Sequence, residues 1–189
     1  GYGHDQMLLL LRDEGLRYHP DVVLIGFVPM DMSRNMLGFR DFAKQHYVLR
    51  GGKLVLRGTP VPLPEEVLRS DWVRPRILDV AELLRFHFME ATGQHRRDME
   101  KITAALLGKM ISVIDSAGAL PVLAYLPEGG EDFSQTGTSR DEAFMYSVCR
   151  SNPVAHCFST RRDFARQVSK GTVFKRTRHW APIGHLTAA

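Results

Sequence analysis

Two cysteines are all the thiol chemistry that this 189-residue sequence carries. Neither Cys149 nor Cys157 belongs to a CxxC or sits at metal-ligand spacing, so zinc binding and dithiol redox chemistry are not expected. Both read as small core residues. No apolar run reaches the ~18–20 residues that span a bilayer, and no leader with a basic start and an apolar centre marks a signal peptide. The chain opens at Gly1-Tyr2-Gly3 without an initiator Met. That reads as a piece of something longer and leaves the compartment open. The excess of one charge over the other is small, a formal net charge of +4. The tightest basic runs are Arg96-Arg97, Arg161-Arg162 and Lys175-Arg176-Arg178, and they lack the interleaved aromatics of a base-stacking platform. They are read as solvated faces, and no nucleic-acid partner is expected. There is no low-complexity segment and no GxSxG nucleophile elbow.

What is present suits one domain over residues 1–189 with a sizeable core: 44% hydrophobic and 24% charged residues. Residues 4–16 have the apolar spacing of an amphipathic helix, through Met7, Leu8, Leu10 and Leu11, and Gly15 ends it. After the turn Tyr18-His19-Pro20-Asp21 comes Val22-Val23-Leu24-Ile25-Gly26-Phe27, a continuous apolar run. Such a run predicts a parallel strand covered on both faces. The unit recurs. A helix over 99–117 is followed by the strand 120–126. A helix over 140–150 is broken by Asn152-Pro153 and followed by the short strand 154–158. Helix, turn and buried strand three times over predict an α/β fold with a parallel sheet. An insertion at about 40–70 interrupts the series. Residues 47–50 and 53–56 flank Gly51-Gly52, a two-residue loop that favours a β-hairpin. Thr59-Pro60-Val61-Pro62-Leu63-Pro64 is an extended connector. A helix over about 75–90 follows, separated from the next helix by Thr92-Gly93-Gln94.

In open α/β sheets, function collects in loops at the carboxyl ends of strands. Three such loops are visible: Val28-Pro29-Met30-Asp31-Met32, the acidic stretch Pro127-Glu128-Gly129-Gly130-Glu131-Asp132, and the terminal segment around His179. The last reads His179-Trp180-Ala181-Pro182-Ile183-Gly184-His185, a loop histidine ahead of a small-residue helix. This topology predicts Asp31 and His179 on one rim.

Three segments carry a family resemblance. The opening GYGHDQMLLLLRDEGLRYHPDVVLIGF is similar to the part of SGNH (GDSL-type) ester hydrolases that holds their second sequence block, the following helix and the third strand. RGGKLVLRGTPVPLP is similar to a hairpin and Pro-rich connector in one branch of that family. RHWAPIGH resembles that branch's final block, D-x-H-W-N-x-x-G-H. The resemblance runs in register over nearly the whole chain. It implies a three-layer flavodoxin-like fold with strand order 2-1-3-4-5, in which this chain supplies the contiguous 3-4-5 half and lacks the first two strands. It also implies that the inner edge of that half is exposed and open to strand-mediated self-association.

The implied activity is hydrolysis of an ester, on a small ester or an acylated carbohydrate. A serine attacks the carbonyl, a histidine takes its proton, an aspartate orients the ring, and amides with an Asn side chain hold the oxyanion. Carried over by position, His179 is the general base, Asp31 a loop-ordering carboxylate and Gly1 a backbone oxyanion donor. Three positions depart from the pattern. Met30 stands in place of the Asn donor, and a thioether donates no hydrogen bond. Thr177 stands where the Asp partner of His179 belongs. Ala181 replaces the Asn after His-Trp. The family's G-D-S serine has no counterpart in the chain. The resemblance therefore implies an impaired or inactive ester hydrolase, or a catalytically dead domain that binds a glycan or acyl ligand or serves as an assembly surface.

Each candidate also has a plainer reading. His179 is either of catalytic descent or a structural loop histidine, and the surrounding HW-P-x-GH pattern favours the former. Asp31 either orders the rim or is an ordinary turn residue. His185 reads as packing at a helix start, and a His179/His185 metal pair lacks a third ligand, so neither metal nor cofactor is expected. Glu128, Glu131 and Asp132 read as a solvated loop, with a lid over an acyl or sugar substrate as the minority alternative. His87 and His95 read as surface or interface residues, and His156 as a satisfied core histidine. Met30, Met32 and Met36 read as core or pocket lining.

Overall fold

A computed structural model of the chain describes residues 2–39, 42–73, 75–128, 131–133, 137–174 and 182–188. In chain order these form α1 (His4–Asp13), β1 (Val22–Phe27), α2 (Met30–Arg34), β2 (His46–Arg50), β3 (Lys53–Arg57), α3 (Pro64–Val73), α4 (Arg76–Ala91), α5 (Gln94–Ser116), β4 (Leu120–Tyr125), α6 (Arg140–Ser151), β5 (His156–Ser159), α7 (Arg161–Ser169) and α8 (Pro182–Ala188). The fold is mixed α/β, with a three-stranded parallel sheet and a two-stranded antiparallel one. The chain divides into two compact units. One is Gly1–Leu9 with Met32–Leu106, and the other is Leu10–Asp31 with Leu107–Ala189.

The second unit holds the parallel sheet, ordered β1-β4-β5, with β1 at one edge among the described residues. Val22 pairs with Leu120 and Phe27 with Tyr125, and Val122 pairs with His156. Alternation sends Ile25, Phe27, Leu123 and Tyr125 to one face, where all four are buried. That face packs against α6: the Phe27 ring lies 6.1 Å from Phe144 and 6.0 Å from Tyr125. In α5, Leu107, Met110, Ile111 and Ile114 recur at helical spacing and are buried as one stripe. Gly118, at φ 80°, lets the chain turn from α5 into β4.

The other face departs from expectation. Both faces of β1 were predicted to be covered, but Val22, Leu24, Leu120 and Phe158 are exposed, Leu24 by 62%. A continuous apolar run marks a strand that could be buried twice; it does not supply the second covering layer. His156 is likewise exposed at the start of β5 rather than in the core. The cysteines also differ from the separate core residues expected. Cys149 of α6 and Cys157 of β5 form a disulfide across a sequence separation of 8, with Cα atoms 6.5 Å apart. The turn after α6 brings its last residues alongside β5, within the span a disulfide bridges.

In the first unit, the Gly51-Gly52 hairpin forms as the spacing predicts. Both glycines have positive φ, 54° and 75°, which the two-residue turn between β2 and β3 requires. α3 was hidden by the reading of residues 59–64 as a connector. Its signals are Pro64 in the first turn and Glu65 and Glu66 behind it. Glu66 also accepts a hydrogen bond from the Leu63 amide at 2.8 Å.

Candidate functional site

The site is built at the carboxyl ends of β1, β4 and β5 in the second unit. β1 ends at Phe27 and the chain turns at once into α2, with the Asp31 amide donating to the Val28 carbonyl at 2.9 Å. What reads in sequence as a loop is therefore a helical turn. Asp31 sits in it only 2% exposed, so an ordinary solvated turn residue is not its setting. Glu128 follows β4 and accepts a hydrogen bond from the backbone amide of Met30, which joins the first two predicted loops. Glu128 has its pKa raised above the usual carboxylate value. Burial is the main cause, the Met30 amide opposes it, and the charges of Asp141, Glu131 and Asp31 act with burial. A half-buried carboxyl with its pKa raised is better suited to proton exchange than a solvated one.

Beside this lies a polar network that the sequence reading missed. The Tyr125 hydroxyl is 3.0 Å from Glu131 Oε2 and 3.0 Å from Ser139 Oγ. A carboxylate only accepts, so Tyr125 donates to Glu131 and receives the Ser139 hydroxyl proton. Burial is the main cause of the raised Tyr125 pKa, and the neighbouring Glu131 acts in the same direction. Ser139 Oγ also accepts from the Glu142 amide at 3.1 Å, while Glu142 accepts from the Ser139 amide at 3.3 Å, closing a capping box at the start of α6. Arg161 donates through Nε to Glu131 Oε1 at 2.5 Å, and through its other nitrogens to the carbonyls of Gly137 (2.6 Å) and Asp132 (2.9 Å). Glu131 is thus a part-buried ion-pair partner, not part of a solvated loop. Likewise, Arg161 is buried, not part of a solvated basic face. One cue was legible beforehand, the Ser139-x-x-Glu142 spacing ahead of a helix. The Glu131–Arg161 pair joins residues 30 apart and has no local signature.

A cavity of about 330 Å³ opens at this end of the unit, lined by Thr138, Glu142, Tyr146, Ser159, Arg161 and Arg162 among others. Its walls are chiefly polar, and burial raises the Tyr146 pKa. The described residues hold no cluster of three or more His, Cys, Asp or Glu side chains placed for a metal ion. No helix among them is long and apolar enough to cross a membrane.

Of the residues expected at the rim, the structure describes Asp31 and Met30, which lie together next to Glu128. His179, Thr177, Ala181 and Gly1 lie outside the described residues, while His185 is exposed on α8.

The first unit has a polar centre of its own. His4 is buried, and Asn35 Nδ2 donates to its Nδ1 at 3.1 Å and to Thr103 Oγ1 at 2.9 Å. Asn35 Oδ1 accepts the Asp5 amide at 3.3 Å, and the Asp5 carboxylate is ion-paired with Lys44 at 2.5 Å. Burial lowers the His4 pKa to about 4, with the Asn35 hydrogen bond opposing. The ring is therefore neutral at pH 7, Nδ1 accepting and Nε2 carrying the proton. A cavity of about 380 Å³ adjoins this centre, lined by Asn35, Met36, His46, Tyr47, Asp98 and Lys101 among others.

Compared with family models, with curated proteins and with solved structures, the chain matches none.

Proposed function

We propose that this chain is an SGNH-type ester-hydrolase scaffold whose rim binds a small ester or an O-acylated carbohydrate and cleaves it poorly, if at all, as the chain stands. The observation that carries this reading is the buried Asp31 at the carboxyl end of β1, in electrostatic reach of Glu128. The resemblance places a rim carboxylate at that position. The sequential order of three parallel strands supports the same reading. On it, His179 is the general base, Asp31 orders the rim and the Gly1 amide is an oxyanion donor.

Met30 favours binding over turnover. Its thioether donates nothing, and its backbone amide already donates to Glu128. The residue at the family's Asn position thus has no donor left for an oxyanion, a loss that typically costs ~10²–10³ in rate. The Thr177 and Ala181 departures act in the same direction.

The test pairs binding with turnover, using 4-nitrophenyl acetate and an acetylated monosaccharide. Ligand-observed NMR on the full chain should detect the sugar ester, with the signal weakened by Asp31→Ala, while acetate release stays near background. Supplying an upstream segment that carries the serine, together with Met30→Asn and Thr177→Asp, should raise release if the scaffold is a decayed enzyme, and leave it unchanged if the pocket serves binding alone. Absence of both binding and release for either ester would overturn the proposal.

A further inference from the structure

The cavity between α6 and the start of α7 is lined by two opposite charges that do not meet. Glu142 lines it and is only 6% exposed. Its Oε2 accepts the Ser139 amide. Its Oε1 has no partner among the described residues, and no cation pairs with either oxygen there. A buried carboxylate without a cation is costly. Arg162 lines the same cavity and is exposed. Among the described residues it too forms no ion pair, with Glu142 or with any other acid. Tyr146 lies in electrostatic reach of both charges, and its hydroxyl has no hydrogen-bond partner among the described residues.

The walls are sorted by sign. Glu142 and Tyr146 are four residues apart on α6 and share a face, with Cys149 three residues further along it. Cys157 and Ser159 share one face of β5 by alternation. The Cys149–Cys157 disulfide ties these two faces together, which fixes the acidic wall on α6 against the strand that leads to Arg162. Ser159 Oγ accepts the Arg161 amide at 3.2 Å, which leaves its proton to donate on the basic side. Arg161 adds no net charge, because it is paired with Glu131.

We infer that this cavity binds a free α-amino acid, its ammonium on Glu142 and Tyr146 and its carboxylate on Arg162 and Ser159. A ligand of both signs compensates both walls at once through charge-assisted hydrogen bonds. A simple anion would meet the Glu142 charge, a simple cation the Arg162 charge, and a neutral sugar would leave both unpaired. The volume of about 330 Å³ lies at the small end of the ~300–1,000 Å³ of ligand pockets, which suits one amino acid with a small side chain. None of these side chains belongs to the Asp31–Glu128 rim, so the inference goes beyond the ester reading and does not rest on it.

The test is ligand-observed NMR titration of the full chain at pH 7 with three probes. They are L-alanine, N-acetyl-L-alanine, which lacks the ammonium, and L-alaninamide, which lacks the carboxylate. L-Alanine should bind, and each analogue should bind about 10-fold more weakly for the loss of one charged contact. Glu142→Gln and Arg162→Gln should each weaken L-alanine by a similar factor. The pattern should cross: Glu142→Gln removes the advantage over N-acetyl-L-alanine, and Arg162→Gln removes the advantage over L-alaninamide. A general loss of structure would not separate the two analogues. Gln keeps an acceptor for the Ser139 amide, and Arg162 is exposed, so its variant tests the site independently of the α6 cap. Four results would each overturn the inference: no saturable L-alanine binding up to about 10 mM; equal binding of the three probes; L-alanine binding insensitive to both variants; and methyl α-D-glucopyranoside bound more tightly than L-alanine.

Discussion

The two units place similar amounts of apolar sequence in opposite settings. In the sheet unit, Phe27, Leu123, Tyr125, Ile114 and Met145 are all buried, and even the charged Arg161 is buried, paired with the part-buried Glu131. In the other unit, α4 has a stripe as apolar as that of α5 and leaves it in solvent, while the interior is organised around His4, Asp5, Asn35 and Thr103. Apolar periodicity thus specifies a helix and the face that wants burial, but whether a partner layer exists is a separate matter. The same holds on a smaller scale within the sheet unit, where one face of β1 is dry and the other carries exposed Leu24.

The sharpest break of this comparison is a pair of truncations. Phe27→Ala should cost about 4 kcal/mol, because its buried ring leaves a cavity between β4 and α6. Leu84→Ala on exposed α4 should stay within ~0.5 kcal/mol in urea denaturation at concentrations too low for association. Next comes the polar centre of the first unit. The folded pKa of His4 is depressed from 6.5 to about 4, so between those values the unfolded chain binds the extra proton. Stability should fall as pH drops through that window, by about 3 kcal/mol at the bottom. Urea midpoints at pH 7 and pH 4.5 measure this, and His4→Gln should flatten the profile. Removing the Cys149–Cys157 link with paired serine substitutions should cost about 2–3 kcal/mol, as expected for a short loop released in the unfolded chain. It should act on the sheet unit and leave proteolytic protection of the β2–β3 hairpin unchanged. The smallest effect expected is Ser139→Ala. Loss of the α6 cap should cost about 1 kcal/mol, and it also deprives the Tyr125 hydroxyl of one partner. Thermal unfolding with Tyr125→Phe in a double-mutant cycle separates the two contributions.

Features set by neighbours in sequence were legible. The Gly51-Gly52 hairpin, the break at Thr92-Gly93 and the Val22–Phe27, Leu120–Tyr125 and His156–Ser159 strands follow from turn residues and short apolar runs. α2 was not legible, because five residues after Pro29 carry too little periodicity to distinguish a helical turn from a loop. α7 was not read either: it follows β5 with one intervening residue, and its charged start, Arg161-Arg162-Asp163, resembles a solvated run. At the candidate site, Asp31 was legible as a strand-end carboxylate. Its burial, its neighbour Glu128 and the Tyr125–Glu131–Ser139–Arg161 network were not. Those contacts join separate segments, and nothing in a single sequence marks which loops meet.

By itself, then, the sequence determined the longer helices, the strands and the hairpin, though not α2, α3 or α7, because helix and strand periodicity, caps and turn glycines act within a few residues along the chain. Tertiary structure alone decided which apolar faces are covered, that Cys149 and Cys157 are joined, that burial lowers the pKa of His4 and that Glu131 pairs with buried Arg161. Burial, desolvation and Coulomb interaction depend on distance in space, and only the folded chain sets those distances.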